Sequence, residues 1–227
     1  ELRIENCSFF NNYAHTGGAI QAESAGGLKV SGCLFANNEA NFGGAVTLSQ
    51  SSSDNITFIA NTIVNNKANN SSGAAFNVTT YLSNLSFVNN VIFNNLNGSN
   101  NVSAIVFGSE PFKPVFENCL IEGGVSSISG LPSNYTWTGM IDNDPDFVAS
   151  SSGIGLGADG SAANWQLSES SPCVNTGIED VSGFELPAND LAGNIRIQQG
   201  RIDMGALESA YVPTVSFDVP VNMDFNI

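Results

Sequence analysis

Apolar and polar residues alternate with a period of two in short stretches along the first half of the chain. Leu2-Arg3-Ile4-Glu5 and Leu28-Lys29-Val30-Ser31 are two such stretches, and this alternation is typical of β-strands. The stretches recur at a nearly constant interval. Equivalent positions fall at Cys7, Cys33, Asn61, Asn90 and Cys119, with spacings of 26, 28, 29 and 29 residues. Five copies of a strand-forming repeat therefore occupy residues 2–124.

Aligned copies give columns in which each position keeps one residue class. The columns are Leu2, Leu28, Ile56, Leu85; Ile4, Val30, Phe58, Phe87, Phe116; Phe9, Phe35, Ile63, Ile92, Ile121; and the polar column Asn12, Asn38, Asn66, Asn95. Repeats of several short strands stack as coils of a parallel β-helix, with equivalent residues about 4.8 Å apart. We therefore predict an all-β, right-handed parallel β-helix with apolar interior columns and asparagine ladders at its corners. A leucine-rich repeat or a helical solenoid is disfavoured, because no copy contains a segment with a period of 3.6.

The repeat columns stop at Gly124, and turn-forming residues dominate after it. We expect three regions: β-helix coils over residues 1–124, terminal coils and an irregular C-terminal cap over 125–210, and a tail toward a missing anchor over 211–227. Such a cap would cover the open end of the helix, which is an unpaired strand edge. The first residue is Glu1 and the chain opens inside the repeat pattern, so we expect it to be a piece of a larger protein.

The composition narrows the classes of partner. Charged residues make up 12% of the chain, and 21 acidic residues against 6 basic ones give a net charge of −15. Nucleic acid is therefore an unsuitable partner, because so few cations cannot neutralise a phosphate backbone. No stretch approaches the roughly 18 uninterrupted apolar residues that a transmembrane helix needs.

Two sets of motifs resemble known bacterial surface proteins. Phe9-Phe10-Asn11-Asn12 and Phe35-Ala36-Asn37-Asn38, each followed by Gly-Gly-Ala, resemble the FxxN and GGAI repeats of bacterial right-handed β-helix surface proteins. The closing region resembles that of the choice-of-anchor β-helix proteins, which are secreted or surface-displayed and frequent among Bacteroidota. The motifs that carry this second likeness are Asp144-Pro145-Asp146-Phe147, the stretch from Ser171 to Gly177, Asp190-Leu191-Ala192-Gly193-Asn194, and the stretch from Gly200 to Glu208.

Catalytic signatures are sparse. His15 is the only histidine, which excludes any site with two histidine ligands, and no Gly-x-Ser-x-Gly motif accompanies it. The cations form no cluster of the kind that polyuronate lyases need. Cys7 and Cys33 share a column, so they form either a disulfide or a ladder of buried thiols. We therefore expect no catalytic residues and no cofactor, with calcium as the one candidate ligand.

Asp142, Asp144 and Asp146 alternate as calcium ligands do. A full calcium loop would also have a glycine and a distal glutamate, and Pro145 favours a turn. The aspartates are therefore either a calcium site or part of a turn.

One group of apolar residues falls on positions that point out of the coils. In coils three and four these are Ile59, Val64, Val88, Val91 and Phe93. An apolar surface of this size requires an explanation. Either the segment after Gly124 folds back and covers it, or it docks a secretion or surface-display protein, or it stays exposed.

These features predict a secreted or cell-surface protein on the extracellular side of a Gram-negative bacterium. It would act as an adhesin or stalk-like scaffold that binds a surface protein or a surface glycan. The alternative is a carbohydrate-active β-helix enzyme, a lyase or a glycoside hydrolase, whose catalytic coils lie outside this piece. Fold alone does not decide between them, because β-helices host both kinds of function.

Overall fold

A computed structural model describes residues 1–23, 26–49, 52–79, 82–108, 113–198 and 200–209. The tail expected over residues 211–227 lies outside the described residues. Over the described ranges the secondary structure consists of β-strands and short 3-10 turns.

The strands follow one another around successive coils. Coil one contains β1 (Leu2–Glu5), β2 (Ser8–Phe10), β3 (Tyr13–Thr16) and β4 (Ile20–Ala22); coil two contains β5 (Leu28–Ser31), β6 (Leu34–Ala36), β7 (Glu39–Phe42) and β8 (Val46–Leu48). Coil three contains β9 (Ser52–Ile59), β10 (Thr62–Val64), β11 (Lys67–Ala68) and β12 (Phe76–Val78); coil four contains β13 (Leu82–Val88), β14 (Val91–Phe93) and β15 (Ile105–Phe107). They are followed by β16 (Val115–Glu117), β17 (Leu120–Ile121), β18 (Ile128–Ser129), β19 (Thr136–Thr138), β20 (Phe147–Ala149) and β21 (Asn164–Leu167).

Equivalent strands of successive coils pair in parallel and form four sheets. Sheet A has the order β1-β5-β9-β13-β16-β19, sheet B β2-β6-β10-β14-β17, sheet C β3-β7-β11, and sheet D β4-β8-β12-β15-β18. The described residues therefore form a parallel β-helix of about four turns, and the β-helix fold predicted from the sequence is confirmed. The antiparallel hairpin of β20 and β21 stands apart from these sheets.

The pairing register confirms the columns read from the sequence. Ile4 pairs with Val30, Val30 with Phe58, Phe58 with Phe87, and Phe87 with Phe116. The side chains of this column form one core with the column from Phe9 to Ile121. Parallel phenyl rings stack along the axis, with centroids 5.8 Å apart for Phe58 and Phe87 and 5.2 Å for Phe87 and Phe116.

Two side-chain ladders run through the coils. Asn12, Asn38 and Asn66 each donate an amide N–H to the side-chain oxygen of the next asparagine, ending on Asn95, at 2.9 Å in each step. In a second ladder Asn61 donates to Asn90 at 3.0 Å. These bonds satisfy amides that are otherwise cut off from water, so the polar column lies inside the fold at no loss of hydrogen bonding.

The chain after Gly124 has two parts that meet the coils in different ways. Residues 124–141 continue the stacking through β18 and β19, and Leu131, Trp137 and Met140 pack against the end of the core. Residues 142–209, here called the flanking segment, instead return along the outer faces of sheets A and B. There they make three further apolar clusters with those sheets.

Candidate functional site

The five outward apolar residues are the surface on which the flanking segment packs. Ile59, Val64, Val88 and Val91 are fully buried, and Phe93 is half-buried. Each of the buried four shares an apolar cluster with residues of the flanking segment: Val64 with Trp165 and Leu207, Val91 with Leu167, Cys173 and Met204, and Ile59 and Val88 with Ile202.

The chain itself therefore covers this apolar surface. Of the three alternatives, the structure supports the one in which the segment after Gly124 folds back, and the docking surface for a secretion protein is corrected accordingly. The physical reason is that outward residues of a parallel sheet become apolar wherever a second layer packs on them. Sequence alternation identified the surface, and the tertiary structure identifies its occupant.

Asparagines at the coil corners fasten the flanking segment by hydrogen bonds. Asn37 donates its amide to Gly153 O at 2.8 Å, Asn118 donates to Thr176 O at 3.0 Å, and Asn6 donates to Asn189 O at 3.1 Å. Each of these residues has a positive φ, between 46° and 58°, a conformation that asparagine tolerates better than most side chains. The corner geometry thus turns these amides outward, toward the flanking segment.

A buried ionic cluster anchors the end of the flanking segment. Arg196 Nη1 lies 3.5 Å from Glu208 Oε1, and both side chains are almost completely buried. Asp190 accepts backbone N–H bonds from Ala192, Asn194 and Glu208. We name Arg196, Asp190, Asp203 and Glu208 the buried ionic cluster.

Burial dominates the electrostatics of this cluster. It raises the pKa of Glu208 to about 8, because a charged carboxylate loses its hydration there. It also raises the pKa of Asp203, although backbone N–H groups of Asn175 and Ser209 oppose the effect. Burial lowers the pKa of Arg196, and Glu208 and Asp190 oppose that change. The charged residues of the closing motifs therefore have a structural role.

Sequence reasoning did not single out Arg196, Asp203 or Glu208 as interacting residues. A signal existed, since charged residues form only 12% of the chain and several of them fall in the closing motifs. Their spacing carries no periodicity that would bring them together.

The three aspartates of the calcium alternative are engaged in separate turns. Asp142 accepts from Gly123 N at 2.7 Å, Asp144 accepts from Asp146 N at 2.8 Å, and Asp146 accepts from the hydroxyl groups of Ser168 and Ser170. Among the described residues no group of three or more His, Cys, Asp or Glu side chains could hold a metal ion. The hydrogen bonds of Asp142, Asp144 and Asp146 fit the turn alternative, and the calcium site stays a prediction.

A small recess opens beside these turns, where the flanking segment meets coils three and four. It has a volume of about 180 Å³ and is lined by Asn65, Phe93, Asn94, Asp144, Asp146, Phe147, Ser150 and Trp165. The rings of Phe147 and Trp165 meet edge to face, with centroids 5.4 Å apart. We call this the seam recess.

Glu122 lies next to the seam recess and accepts the backbone N–H of Asn94 at 2.6 Å. Partial burial raises the pKa of Glu122. The hydrogen bond from the Asn94 N–H opposes this effect, and the nearby Asp142 and Asp144 add to it. Three carboxyl groups thus lie close together beside the seam recess.

The structure also shows the state of the four cysteines and the surroundings of His15. All four cysteines are free thiols, and Cys33 Sγ accepts the backbone N–H of Cys7 at 3.4 Å, as in the thiol-ladder alternative. Burial raises the pKa of Cys33, Cys119 and Cys173 to about 12, so these thiols are protonated and weak nucleophiles. His15 is exposed on β3 and hydrogen bonds with the Thr16 hydroxyl.

Within the described ranges, no helix has the length and apolar character needed to span a membrane. No protein-family model, curated protein or solved structure matches this chain.

Proposed function

We propose that this chain is a non-catalytic binding scaffold, displayed outside a Gram-negative bacterium as an adhesin or a stalk-like module. The observation that carries the proposal is the clamp between the flanking segment and the coils. Apolar contacts and corner asparagines hold the flanking segment to the coils from Asn6, after β1, to Asn118, between β16 and β17. A solenoid braced along its side resists bending, which suits a spacer or a binding platform.

The use of polar side chains supports the same function. The inner asparagines hydrogen bond to one another in the ladders, and the corner asparagines hydrogen bond to the flanking segment. Acidic residues of the closing motifs belong to the buried ionic cluster. Sheet C keeps exposed outward side chains on coils one and two, which are available to a partner. The extracellular location rests on the resemblance of the repeats and closing motifs to bacterial surface proteins.

The seam recess favours a second candidate function, glycoside hydrolysis. Glycosidases use a pair of carboxylic acid side chains, and Glu122 lies near Asp142 and Asp144 beside the recess. In this alternative the aromatic lining of the recess would hold the sugar next to the carboxylates.

Two measurements on the purified chain separate these functions. For the scaffold we expect binding to an array of defined neutral and acidic oligosaccharides or to Gram-negative outer-membrane vesicles, without release of oligosaccharides from neutral polysaccharides. Reproducible release that is abolished by Glu122→Gln would establish the enzyme instead. The exposed Glu169→Gln variant is the matched control, since it makes the same chemical change away from the recess.

A further inference from the structure

Sheet C carries a group of exposed rings on coils one and two. Tyr13 on β3 is 61% exposed, and Phe42 at the end of β7 is 38% exposed. The exposed His15 lies between them along the chain, and its ring centroid is 5.7 Å from that of Phe42. We call Tyr13, His15 and Phe42 the ring face.

Strand geometry explains why the rings of Tyr13 and His15 point to solvent. Tyr13 and His15 are two residues apart on β3, so their side chains share one face of sheet C. Ala14 between them points inward and pairs with Ala40, which pairs in turn with Ala68, and both of these partners are fully buried. The interior of sheet C thus takes small side chains at these positions, and Tyr13 and His15 are on the outside. Phe42 pairs with Thr16 at the end of β7, where its ring is partly exposed and lies beside His15.

The ring face borders the flanking segment but is not covered by it. On this side the flanking segment contacts Glu39, whose carboxylate accepts the Leu156 N–H at 3.0 Å, and Asn11, whose side-chain oxygen accepts the Gly160 N–H at 2.9 Å. Glu39 pairs with Tyr13 and Asn11 precedes Tyr13 by two residues, so the flanking segment reaches the edge of the ring face while Tyr13 and Phe42 stay exposed. Asn41 precedes Phe42 on β7, and its amide has no hydrogen-bond partner among the described residues.

We propose that the ring face binds a neutral sugar ring by stacking, with the Asn41 amide and the Tyr13 hydroxyl as hydrogen-bonding groups. This inference rests on the proposed function as a binding scaffold and names the ligand class of that scaffold. The C–H faces of a pyranose are apolar and match an aromatic ring, while its hydroxyl groups need donors and acceptors at the edge.

Size and charge favour a sugar over other partners. Three partly exposed rings offer far less than the roughly 800 Å² that each side of a stable protein interface buries. The net charge of −15 repels acidic glycans and nucleic acids. A neutral saccharide is the remaining ligand class that this surface fits.

The test uses the full chain and neutral gluco-, manno-, xylo- and N-acetylglucosamine oligosaccharides, with calorimetry for affinity and saturation-transfer NMR for contact. We expect one of these series to bind and the Tyr13→Ala/Phe42→Ala variant to bind at least tenfold more weakly. Tyr13→Phe keeps the ring and should bind within about threefold of the wild type.

Leu156→Ala is the matched control, since it removes a side chain that is 47% exposed near the same sheet. If Phe42→Ala lowers the thermal midpoint, Tyr13→Ala alone provides the measurement.

Three outcomes overturn the inference: no neutral oligosaccharide binds, binding is unchanged in the ring variants, or Leu156→Ala weakens it equally. Vesicle binding separates these outcomes from a failure of the scaffold itself. If vesicles are bound equally by the wild type and the ring variants, the scaffold function stands and the ring face is wrong. If vesicle binding needs the rings but oligosaccharides do not compete, the partner is a protein.

Discussion

Neighbouring asparagines in the repeat have two different roles, set by the backbone of a single residue. In each pair the first asparagine has a positive φ and turns outward, and the second turns inward onto the ladder. The outward members are Asn11, Asn37, Asn65 and Asn94, with φ between 52° and 58°. The inward members are Asn12, Asn38, Asn66 and Asn95. One repeated dipeptide therefore supplies both the internal ladder and groups that face the flanking segment.

Replacing an inner member of the ladder should be costly. Asn66 donates to Phe35 O and to Asn95, and it accepts from Asn38, all within 3.0 Å. We expect Asn66→Ala to lower the free energy of unfolding by about 2–4 kcal/mol, because it leaves buried donors and acceptors unpaired. Urea unfolding measures the loss. Asn12→Ala is the control in the same column, and its exposed position should limit the loss to about 1 kcal/mol or less. Equal losses at the two positions would contradict the ladder's role.

At the scale of the strands, the alternation of apolar and polar residues holds on sheet C and fails on sheet B. Thr62, Val64 and Val91 point outward but are buried, because sheet B lies between the core and the flanking segment. A parallel sheet covered on both faces accepts apolar residues at every position. The short strands of sheet B are therefore the middle layer of the molecule.

A charge placed under the flanking segment should detach it. Val91 on β14 is fully buried against Met204 and Leu167. Val91→Asp would bury a carboxylate without a partner, and we expect a loss of at least about 3 kcal/mol of stability. Limited proteolysis should show faster cleavage within residues 142–209. Val148→Asp, at an exposed residue of the flanking segment, should change neither. Unchanged proteolysis of Val91→Asp would show that the flanking segment does not depend on this contact.

At the scale of the whole molecule, stability should depend on pH through the buried ionic cluster. Glu208 has a folded pKa of about 8, against an ordinary value of 4.5. Between these values the folded chain holds a proton that the unfolded chain releases. The free energy of unfolding should therefore fall as pH rises from about 5 to 8, and the Glu208 contribution should level off above 8. The raised pKa of Asp203 acts in the same direction.

Glu208→Gln should flatten this profile, since glutamine cannot release a proton. Urea unfolding at pH 5, 6, 7, 8 and 9 measures the slope for the wild type and the variant. Glu169→Gln, at an exposed glutamate, serves as the control and should keep the wild-type slope. A wild-type stability that rises between pH 5 and 8 would contradict the burial of Glu208.

The sequence alone determined the coil: its length, its strands, its interior columns and the inner asparagine ladder. These features depend on contacts between residues 26 to 29 positions apart, and each coil repeats them, so every copy supports the same alignment. The apolar surface at Val64 and Val91 could also be predicted from the repeats, because it interrupts an otherwise regular alternation of apolar and polar residues.

Only the tertiary structure decided what covers that surface and where the charged residues meet. Thr62 Oγ1 accepts the N–H of Ala206, a residue 144 positions away, and Arg196 reaches Asn6 across 190. Such contacts occur once in the chain, so no repeated pattern records them. They form because the flanking segment removes the apolar face from water and gives the outward corner amides hydrogen-bond partners.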